Sequence, residues 1–402
     1  MTKIRIDLLE NTSKVALNDD GSFNKQEAIR FSGREAGICY DKEGYNHIAQ
    51  EPVEKTDKRV SLTLNNGHHS VSDHVQLGLN LQNIPKILAM VLNNEHQYTT
   101  SEKSARYTQV IREDETSFIS SKEEKLYNKW LSIFKLKIKD VYGNVFDDRK
   151  IHKLAQENAR YLVTVFMPTQ MGYTTTFRQI NYIASYMKEY IDKANPQSLF
   201  DMRLSVSMYN FLDELRRLDI LEERLMRNEK HRILSIFGKD LDKNSDIFAN
   251  VYSTVYEGSF AQYAQAHRHR TLDYQLEFLK EAKFFIPPII ADDEKLVKQW
   301  IRDMKSVSEY TPQGQLVRII EMGTYDNFIL KCKERLCSAA QLEIMNQTKE
   351  TLTKYYETLK ASGSYLAEDM EKYTHGARCT FPDFDCSQAC GFKEGISLTR
   401  RI

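Results

Sequence analysis

The sequence predicts an α+β fold arranged in two bodies, and three observations support this prediction. The chain has 402 residues, enough for two or three domains of ordinary size. From Phe31 to about Ile220, stretches with helical spacing alternate with stretches typical of strands. The turn-rich segment FGKDLDKNSDI then precedes a second body, which runs from about Phe248 to Lys360.

Changes in composition set the predicted divisions of the chain. The first residues are polar and mixed, and residues 212–237 combine helical spacing with dense charge, which is typical of an exposed or bridging helix. The segment ASGSY marks the end of the second body. The divisions are a lead-in at 1–29, a first body at 30–220, a helical linker at 221–247, a second body at 248–360 and a cysteine-bearing tail at 361–402.

Two helical segments are predicted inside the bodies. Residues 113–150 are charged and form a mostly helical excursion from the first body. Residues 337–360 predict a helix whose apolar positions include Leu342, Met345 and Leu352.

Composition excludes several classes of protein. Lys+Arg and Asp+Glu each total 56, and the formal net charge of zero argues against a nucleic-acid-binding protein. No apolar run approaches the about 18 residues of a membrane-spanning helix, and the first residues lack the apolar core of a signal peptide. We therefore expect a cytoplasmic protein with no membrane partner. Six cysteines in so long a chain do not indicate a disulfide framework.

The segment NNGHHSVSDH, 65–74, is a polar cluster with several candidate roles. This cluster could serve in catalysis, bind a metal, or begin a helix that Ser70 or Ser72 would cap, and its members are His68, His69, Ser70, Asp73 and His74. The histidine spacing does not fit H-x-x-x-H and no further group of ligands lies nearby in sequence, so we expect no metal here.

The segment SEKSARY, 101–107, allows two interpretations. In an extended chain Glu102, Ser104 and Arg106 point to the same side, because side chains alternate along a strand. A carboxylate, a hydroxyl and a guanidinium on one face suit a polar ligand that carries a phosphate. The alternative is a solvated helix with a Glu102–Arg106 ion pair, and the residue types alone favour it.

Arginine recurs later in the chain. In AQAHRHRTLDYQ, 264–275, Arg268 and Arg270 would share one face of an extended segment while His269 takes the other. Guanidinium groups form paired, planar hydrogen bonds with phosphate oxygens, so this segment suits a phosphate-bearing ligand. Arg160, after a helical stretch, and Arg335, at a predicted helix start, are by themselves typical of surface residues.

Together these segments resemble the flavin-dependent thymidylate synthase family. That family carries Gly-His-x-[Ser/Thr]-x-x-Glu-His, an Arg-His-Arg triplet leading into Glu-x-Ser-x-Arg-Tyr, an Ala-Arg pair, and an arginine shortly before Ala-Gln-x-Glu-Ile. In the first body, GHHSVSDH matches the first segment with Asp73 in place of Glu, and EKSARY and NARYLV match the nucleotide loop and the Ala-Arg pair. However, NEHQYTTS stands where the triplet should be, and the late arginine is missing. The second body supplies both, in QAHRHR and ERLCSAAQLEI.

The two bodies therefore complement each other, and we infer two diverged copies of one domain in tandem. The resemblance implies that each copy is a sheet flanked by helices. In the family, each active site is built where subunits of a homotetramer meet. A homodimer of this chain would then form a pseudo-tetramer with two working sites instead of four.

The resemblance also assigns roles to the matching residues. Arg335 would hold the pyrimidine and stabilise negative charge on the ring, and Ser104 and His68 would lie near the reacting groups. The expected substrate-binding residues are Glu102, Ser104, Ala105, Arg106, Arg160, Gln265, Arg268 and Arg335. The expected flavin-binding residues are Ser70, Arg178, Arg268, His269 and Arg270.

The implied enzyme is a methyltransferase that reductively methylates dUMP to dTMP, with no cysteine nucleophile. The resemblance gives it FAD as the redox cofactor, NADPH as the reductant and methylenetetrahydrofolate as the carbon donor. One alternative is a related flavin-dependent methylase or hydroxymethylase of another pyrimidine nucleotide. A second is a regulator that binds nucleotide or flavin without catalysis.

The tail contains a further candidate site. In HGARCTFPDFDCSQACGF, His375, Cys379, Cys386 and Cys390 lie close in sequence, and three thiolates and an imidazole can complete a tetrahedral zinc site. The spacing H-x3-C-x6-C-x3-C is not a common zinc pattern. The alternative is a small hydrophobic knot with buried free thiols.

Overall fold

Two antiparallel β-sheets organise the part of the chain that the structure describes. The computed structural model describes residues 3–103, 120–227, 234–238, 246–386, 390–392 and 394–402. Its strands are β1 Arg5–Leu8, β2 Gln76–Pro85, β3 Tyr98–Glu102, β4 Pro168–Thr176, β5 Ile247–Phe248, β6 Val251–Ser259, β7 Asp273–Phe278 and β8 Leu316–Thr324. The strand order is β1-β2-β4-β3 in the first sheet and β5-β6-β8-β7 in the second.

Helices cover the rest of the regular structure in these residues. The α-helices are α1 Lys25–Gly37, α2 Tyr45–Ile48, α3 Val53–Asn65, α4 Lys86–Asn94, α5 Ser121–Tyr142, α6 Asp148–Ala159, α7 Phe177–Lys193, α8 Leu199–Arg217, α9 Glu223–Met226, α10 Phe260–Ala266, α11 Glu294–Ser306, α12 Tyr325–Arg335, α13 Leu342–Ala361 and α14 Leu366–Glu371. Short 3₁₀ turns are Lys14–Ala16, Ile38–Tyr40, His69–His74, Arg160–Leu162, Ser235–Phe237, Pro288–Ile290, Ser308–Tyr310 and Arg378–Thr380.

The two sheets repeat one order of elements. In each sheet a helix begins directly after the second strand and another directly after the fourth: α4 follows β2 and α7 follows β4, as α10 follows β6 and α12 follows β8. Thr176 caps α7 by accepting a hydrogen bond from Gln179 N at 3.1 Å. Thr324 caps α12 in the same way, from Asn327 N at 3.4 Å. A threonine thus ends the fourth strand and starts the next helix in both sheets.

Alternate leucines of β2 bury one face of the first sheet. Leu77, Leu79 and Leu81 of β2 are completely buried and lie on one side of the strand. Leu79 lies opposite the buried Tyr173 of β4. The register between the two strands shifts after Leu81, where Asn83 adopts a φ of 58°, as expected for an irregularity that bends the strand.

The described residues form two compact units that do not follow the order of the chain. Unit 1 contains the residues up to Lys103 and those from Pro168 to Ser235, and unit 2 contains residues 120–167 and those from Ile236 onwards. The excursion between β3 and β4, with α5 and α6, therefore packs within the unit that holds the second sheet. The predicted copies at 30–220 and 248–360 are divisions of the sequence, and their boundaries stay predictions.

Aromatic packing explains why the excursion lies in unit 2. Trp130 and Phe134 of α5 are completely buried and contact Trp300 of α11 edge to face, with ring centroids 4.8 and 5.5 Å apart. The indole N–H of Trp130 donates to Asp303 Oδ2 at 2.8 Å, which satisfies the polar edge of the ring. Burial of three large rings supplies a major part of the apolar contact in this core.

The prediction of one long helix across 212–237 is wrong. Helix α8 ends at Arg217, and Asp219 adopts a φ of 55°, a left-handed conformation that terminates helices. Asn181 of α7 then fixes the departing chain, because its amide donates to Ile220 O at 3.2 Å and accepts from Glu222 N at 2.7 Å. The described part of the predicted linker 221–247 contains only the four-residue α9 and one 3₁₀ turn.

Other predictions are confirmed. The structure mixes helices and sheets, and the predicted helix at 337–360 is α13, with Leu342, Met345 and Leu352 all buried. The predicted helical excursion at 113–150 contains α5 and the start of α6. None of the helices in the described part of the chain has the length and apolar character needed to cross a lipid bilayer.

Truncation of Phe134 tests the packing of the excursion. We expect Phe134→Ala to lower the stability of unit 2 by about 3–5 kcal/mol, because a completely buried ring is lost from a close-packed core. The chain has two tryptophans, Trp130 and Trp300, and both are in this core, so fluorescence during urea unfolding reports on unit 2. The control is Leu136→Ala on the same helix, 66% exposed, for which we expect a change within about 0.5 kcal/mol. Equal effects of the two substitutions would contradict the packing described.

Candidate functional site

Arg335, the last residue of α12, is anchored on two sides in unit 2. Its Nε donates to His269 Nε2 at 2.6 Å, and its Nη2 donates to Gln265 O at 3.3 Å. The side chain is 14% exposed. The sequence predicted Arg335 at a helix start, and this is wrong because Arg335 ends α12. A cation at a helix C-terminus interacts favourably with the helix dipole.

The Arg-His-Arg triplet lies in the turn between α10 and β7. Arg268 and Arg270 are exposed and His269 is buried, so the arginines and the histidine face opposite ways as predicted. The predicted extended backbone is wrong, because His269 N donates to Ala266 O and Leu272 N donates to His269 O, which closes turns. Both arginines are thereby held on the surface next to the carbonyl end of α10.

Arg160 lies in the same unit as Arg335 and the triplet, although it comes from the first predicted body. The residue is 3% exposed and joins α6 to a 3₁₀ turn. The chain beyond it runs alongside residues 311–314, through hydrogen bonds from Gly314 N to Tyr161 O at 2.7 Å and from Gln313 N to Val163 O at 2.8 Å. A Cβ at Gly314 would lie 2.8 Å from Tyr161 Cβ, so this approach requires glycine.

A buried carboxylate, Glu343, ties the segment after Arg160 to α10. Glu343 accepts hydrogen bonds from Ser259 N at 2.8 Å, from Ser259 Oγ at 2.6 Å and from Tyr161 Oη at 3.0 Å. Burial raises the pKa of Glu343, and the hydrogen bonds and the Arg160 cation oppose that rise. Glu343 contacts the start of α10 and Arg335 contacts its end. These two ends of the helix are about 10 Å apart at the usual rise per residue.

A second buried network underlies α12, and the sequence analysis missed it. Lys331 and Glu321 are completely buried, and Lys331 Nζ donates to both Glu321 oxygens, at 2.6 and 2.8 Å, and to Gln347 Oε1 at 2.9 Å. Tyr252 and Tyr256 also donate to Glu321, at 2.7 and 2.8 Å. A lysine within the apolar run FILKC and a glutamate within RIIEM were the available signals.

In unit 1, the segment 65–74 forms a 3₁₀ turn instead of an α-helix. His68 stands at the cap position and Ser70 makes no capping hydrogen bond, so the expected Ser70 cap is wrong. His68 and Ser70 are exposed, whereas His69 is 3% exposed. The ring of His69 lies between Leu64 O and Tyr182 Oη, each 3.0 Å from a ring nitrogen, which indicates donation to the carbonyl and acceptance from the phenol.

Asp73 connects this turn to Arg178. Asp73 Oδ1 accepts from Thr176 Oγ1 at 2.6 Å, and Asp73 Oδ2 forms an ion pair with Arg178 Nη2. The Arg178 guanidinium also lies over the Tyr182 ring, 5.4 Å from its centroid. Arg178 Nε is buried and has no hydrogen-bond partner among the described residues. The structure thus brings Ser70, His68 and Arg178 into one region through Asp73, the residue that replaces the family's glutamate.

Glu102 is the last residue of β3, so the segment is extended up to Glu102, as one of its two interpretations predicts. Its side chain is 2% exposed, and Oε1 accepts from Lys86 Nζ at 2.5 Å. Glu102 Oε2 is buried without a hydrogen-bond partner among the described residues. The predicted site residues Ser104, Ala105 and Arg106 lie outside the described residues.

The residues that the structure describes in the tail do not show the predicted zinc site. His375, Cys379, Cys386 and Cys390 are exposed, and no group of three or more His, Cys, Asp or Glu side chains in that part of the chain could hold a metal ion. The tail is held by other contacts, because Arg378 lies over the Phe384 ring, 3.7 Å from its centroid. Backbone and arginine hydrogen bonds to the loop after α12 complete its attachment.

A double-mutant cycle tests whether Asp73 anchors Arg178. We expect Asp73→Asn and Arg178→Gln to couple by about 1 kcal/mol, because the pair is three-quarters buried, while the asparagine can still accept from Thr176. Amide hydrogen exchange in the first turn of α7 gives a local readout. The matched control is the exposed Asp213–Arg216 pair on α8 of the same unit, with an expected coupling below about 0.5 kcal/mol. A coupling at Asp73 no larger than that of the control would refute the anchoring.

Comparison with known proteins identifies part of the chain. The family described as thymidylate synthase complementing protein matches residues 24–189. No curated protein matches the sequence.

Several solved structures are similar in fold to parts of this chain. The UMP/dUMP methylase PolB from Streptomyces cacaoi, bound with 5-Br dUMP, is 13% identical, with 56% of this chain and 95% of that chain covered and a TM-score of 0.34. Thymidylate Synthase X (ThyX) from Helicobacter pylori with FAD and dUMP is also 13% identical, with coverages of 55% and 99% and a TM-score of 0.32. Likenesses this distant do not bear on the reaction.

The matched region includes the 65–74 turn, Glu102, Arg160 and Arg178. The match over residues 24–189 confirms, for that part of the chain, the resemblance to the flavin-dependent thymidylate synthase family.

Proposed function

We propose that the protein is a flavin-dependent thymidylate synthase that reductively methylates dUMP to dTMP. The observation that carries this proposal is the presence of Arg160, Arg335 and the Arg-His-Arg turn in one compact unit. Arg160 comes from the region that matches the family, and the other arginines come from the region beyond it. The residues that the family pattern requires are thus pooled from both halves of the chain.

Unit 2 would bind the nucleotide. The Arg335 guanidinium is held through Nε by His269 and through Nη2 by Gln265 O, and a cation fixed in this way is suited to a pyrimidine carbonyl and to negative charge on the ring. Arg160, Gln265 and Arg268 would hold the rest of the nucleotide, chiefly the phosphate, together with Ala105 and Arg106.

Unit 1 would contribute groups that face the flavin and the folate. His68 and Ser70 are exposed beside a guanidinium that Asp73 holds in place. By the resemblance, His68 would lie near the flavin and the folate, and Ser70 and Glu102 would bind beside them. Ser104, which lies outside the described residues, would lie near the reacting carbon, and no covalent protein nucleophile is required.

The donor set suits FAD. Exposed Arg268 and Arg270 provide two guanidinium groups for a diphosphate, and the buried Arg178 Nε lacks a partner among the described residues. Bound FAD would supply the hydride chemistry, with NADPH as reductant and methylenetetrahydrofolate as carbon donor. The protein residues would bind and orient these groups and stabilise charge on the pyrimidine.

A tandem duplication explains why both halves are needed. Both sheets have the same strand order, and both place a threonine-capped helix directly after the fourth strand. We propose that residues 30–220 and 248–360 are diverged copies and that a cytoplasmic homodimer forms two working sites, as the family tetramer forms four.

A tritium-release assay tests the proposed function. Protein supplied with FAD, NADPH, methylenetetrahydrofolate and dUMP labelled at C5 is expected to release tritium to water and to form dTMP. We expect Arg335→Ala and Arg160→Ala each to lower kcat/KM by at least about a hundredfold, since each removes a charged contact to the nucleotide. Arg160→Lys, which keeps the charge at a buried position, serves if the alanine variant does not fold.

The control is Arg302→Ala, an exposed arginine on α11 of the same unit, for which activity is expected to stay unchanged. Methylation of UMP or another pyrimidine nucleotide in place of dUMP would overturn the substrate assignment. A protein that takes up no flavin and turns over none of these substrates would overturn the enzyme and favour the regulator.

A further inference from the structure

The middle residue of the triplet faces the protein and not the surface. His269 is 4% exposed, whereas Arg268 and Arg270 on either side are exposed. One ring nitrogen, Nε2, lies 2.6 Å from Arg335 Nε, and the other, Nδ1, lies 3.6 Å from Glu334 Oε2. Of these two contacts of the His269 ring, the one with Arg335 is the shorter.

The Arg335 contact requires a neutral imidazole. An arginine Nε–H only donates, so Nε2 of His269 must accept and the ring proton must sit on Nδ1, towards Glu334. Burial lowers the pKa of His269 well below its ordinary value, and the cations of Arg335 and Lys331 and the neighbouring His267 act in the same direction. Geometry and electrostatics therefore agree on a neutral ring, and the contact with Arg335 assigns its proton to Nδ1.

Buried hydrogen bonds to β8 and α13 fix α12, the helix that carries Arg335. Lys331 lies one turn earlier on α12, and its ammonium group uses three hydrogen bonds to Glu321 of β8 and Gln347 of α13. The last turn of α12 therefore has little freedom to rotate. What remains to be set is the direction of the long Arg335 side chain, which carries a substantial rotamer entropy when it is not held.

We propose that His269 is a positioning residue that holds the Arg335 guanidinium, through its Nε, in the orientation in which Arg335 binds its ligand. Gln265 O supports the same orientation from the end of α10. The inference deepens the proposed function and depends on it for the ligand, a pyrimidine nucleotide. It also divides the triplet, with Arg268 and Arg270 facing outwards to a phosphate-bearing group and His269 acting through Arg335.

The test compares His269→Leu with His269→Gln. Leucine fills the space without accepting a hydrogen bond, whereas the glutamine carbonyl can still accept from Arg335 Nε. We expect His269→Leu to weaken dUMP binding to the flavin-free protein about ten- to a hundredfold, the range for loss of a hydrogen bond to a charged group. His269→Gln is expected to restore most of that affinity, and FAD affinity is expected to change less than about twofold in both.

Two controls identify the route of the effect. Arg268→Ala is expected to weaken FAD binding, which shows that the FAD assay detects loss of a phosphate contact. In the Arg335→Ala background, His269→Leu is expected to cause no further loss of dUMP affinity, because it acts through Arg335. Independent losses in that background, or loss of FAD affinity in both His269 variants, would overturn the proposal.

A ligand-free measurement separates this inference from the proposed function. In protein with ¹⁵N-labelled arginine, we expect one Nε–H resonance to exchange slowly with solvent, to lose that protection in His269→Leu and to keep it in His269→Gln. If the wild-type protein binds neither dUMP nor FAD, the proposed function fails, while this signal still decides whether His269 holds Arg335. Unchanged protection in His269→Leu would refute the positioning role.

Discussion

The arrangement in unit 2 depends on one buried carboxylate. Glu343 is 8% exposed and receives hydrogen bonds from Ser259, at the start of α10, and from Tyr161, next to Arg160. A buried carboxylate is costly unless its oxygens are satisfied, and here both are, so the three segments have to meet in this geometry. This junction ties the segment after α6 to the start of α10.

Other charged groups of unit 2 are also held by buried contacts. The buried pair of Lys331 and Glu321 sets the position of α12, and His269, at the far end of α10, meets Arg335. Buried polar contacts thus support the arginines that reach outward, which is the arrangement expected where a charged ligand must be held in one orientation. In the proposed reaction these residues would orient the ligand and stabilise charge, while the cofactor would supply the electrons.

Much of the fold and of the site follows from the sequence, for reasons that are local. The helix at 337–360 is set by the spacing of its apolar residues, so the residue pattern predicts it. The opposite facing of Arg268 and His269 is predicted from an extended backbone, whereas a turn produces it. The unbroken helix at 212–237 fails because a left-handed Asp219 and a side chain from α7 end it, and neither is visible in spacing. The Lys331–Glu321 pair could not be predicted either, because a buried ion pair is recognised only once its partner is near.

The placement of the excursion has a consequence for the history of the chain. Trp130 and Phe134 lie on α5, between two strands of the first sheet, yet their neighbours belong to the body of the second. A polypeptide ending before residue 248 would leave that aromatic face in water, and one starting there would leave Trp300 uncovered. If the two sheets belong to once separate copies, as proposed above, division of the chain at residue 248 would expose large aromatic side chains in both fragments, so such a fusion would be difficult to reverse.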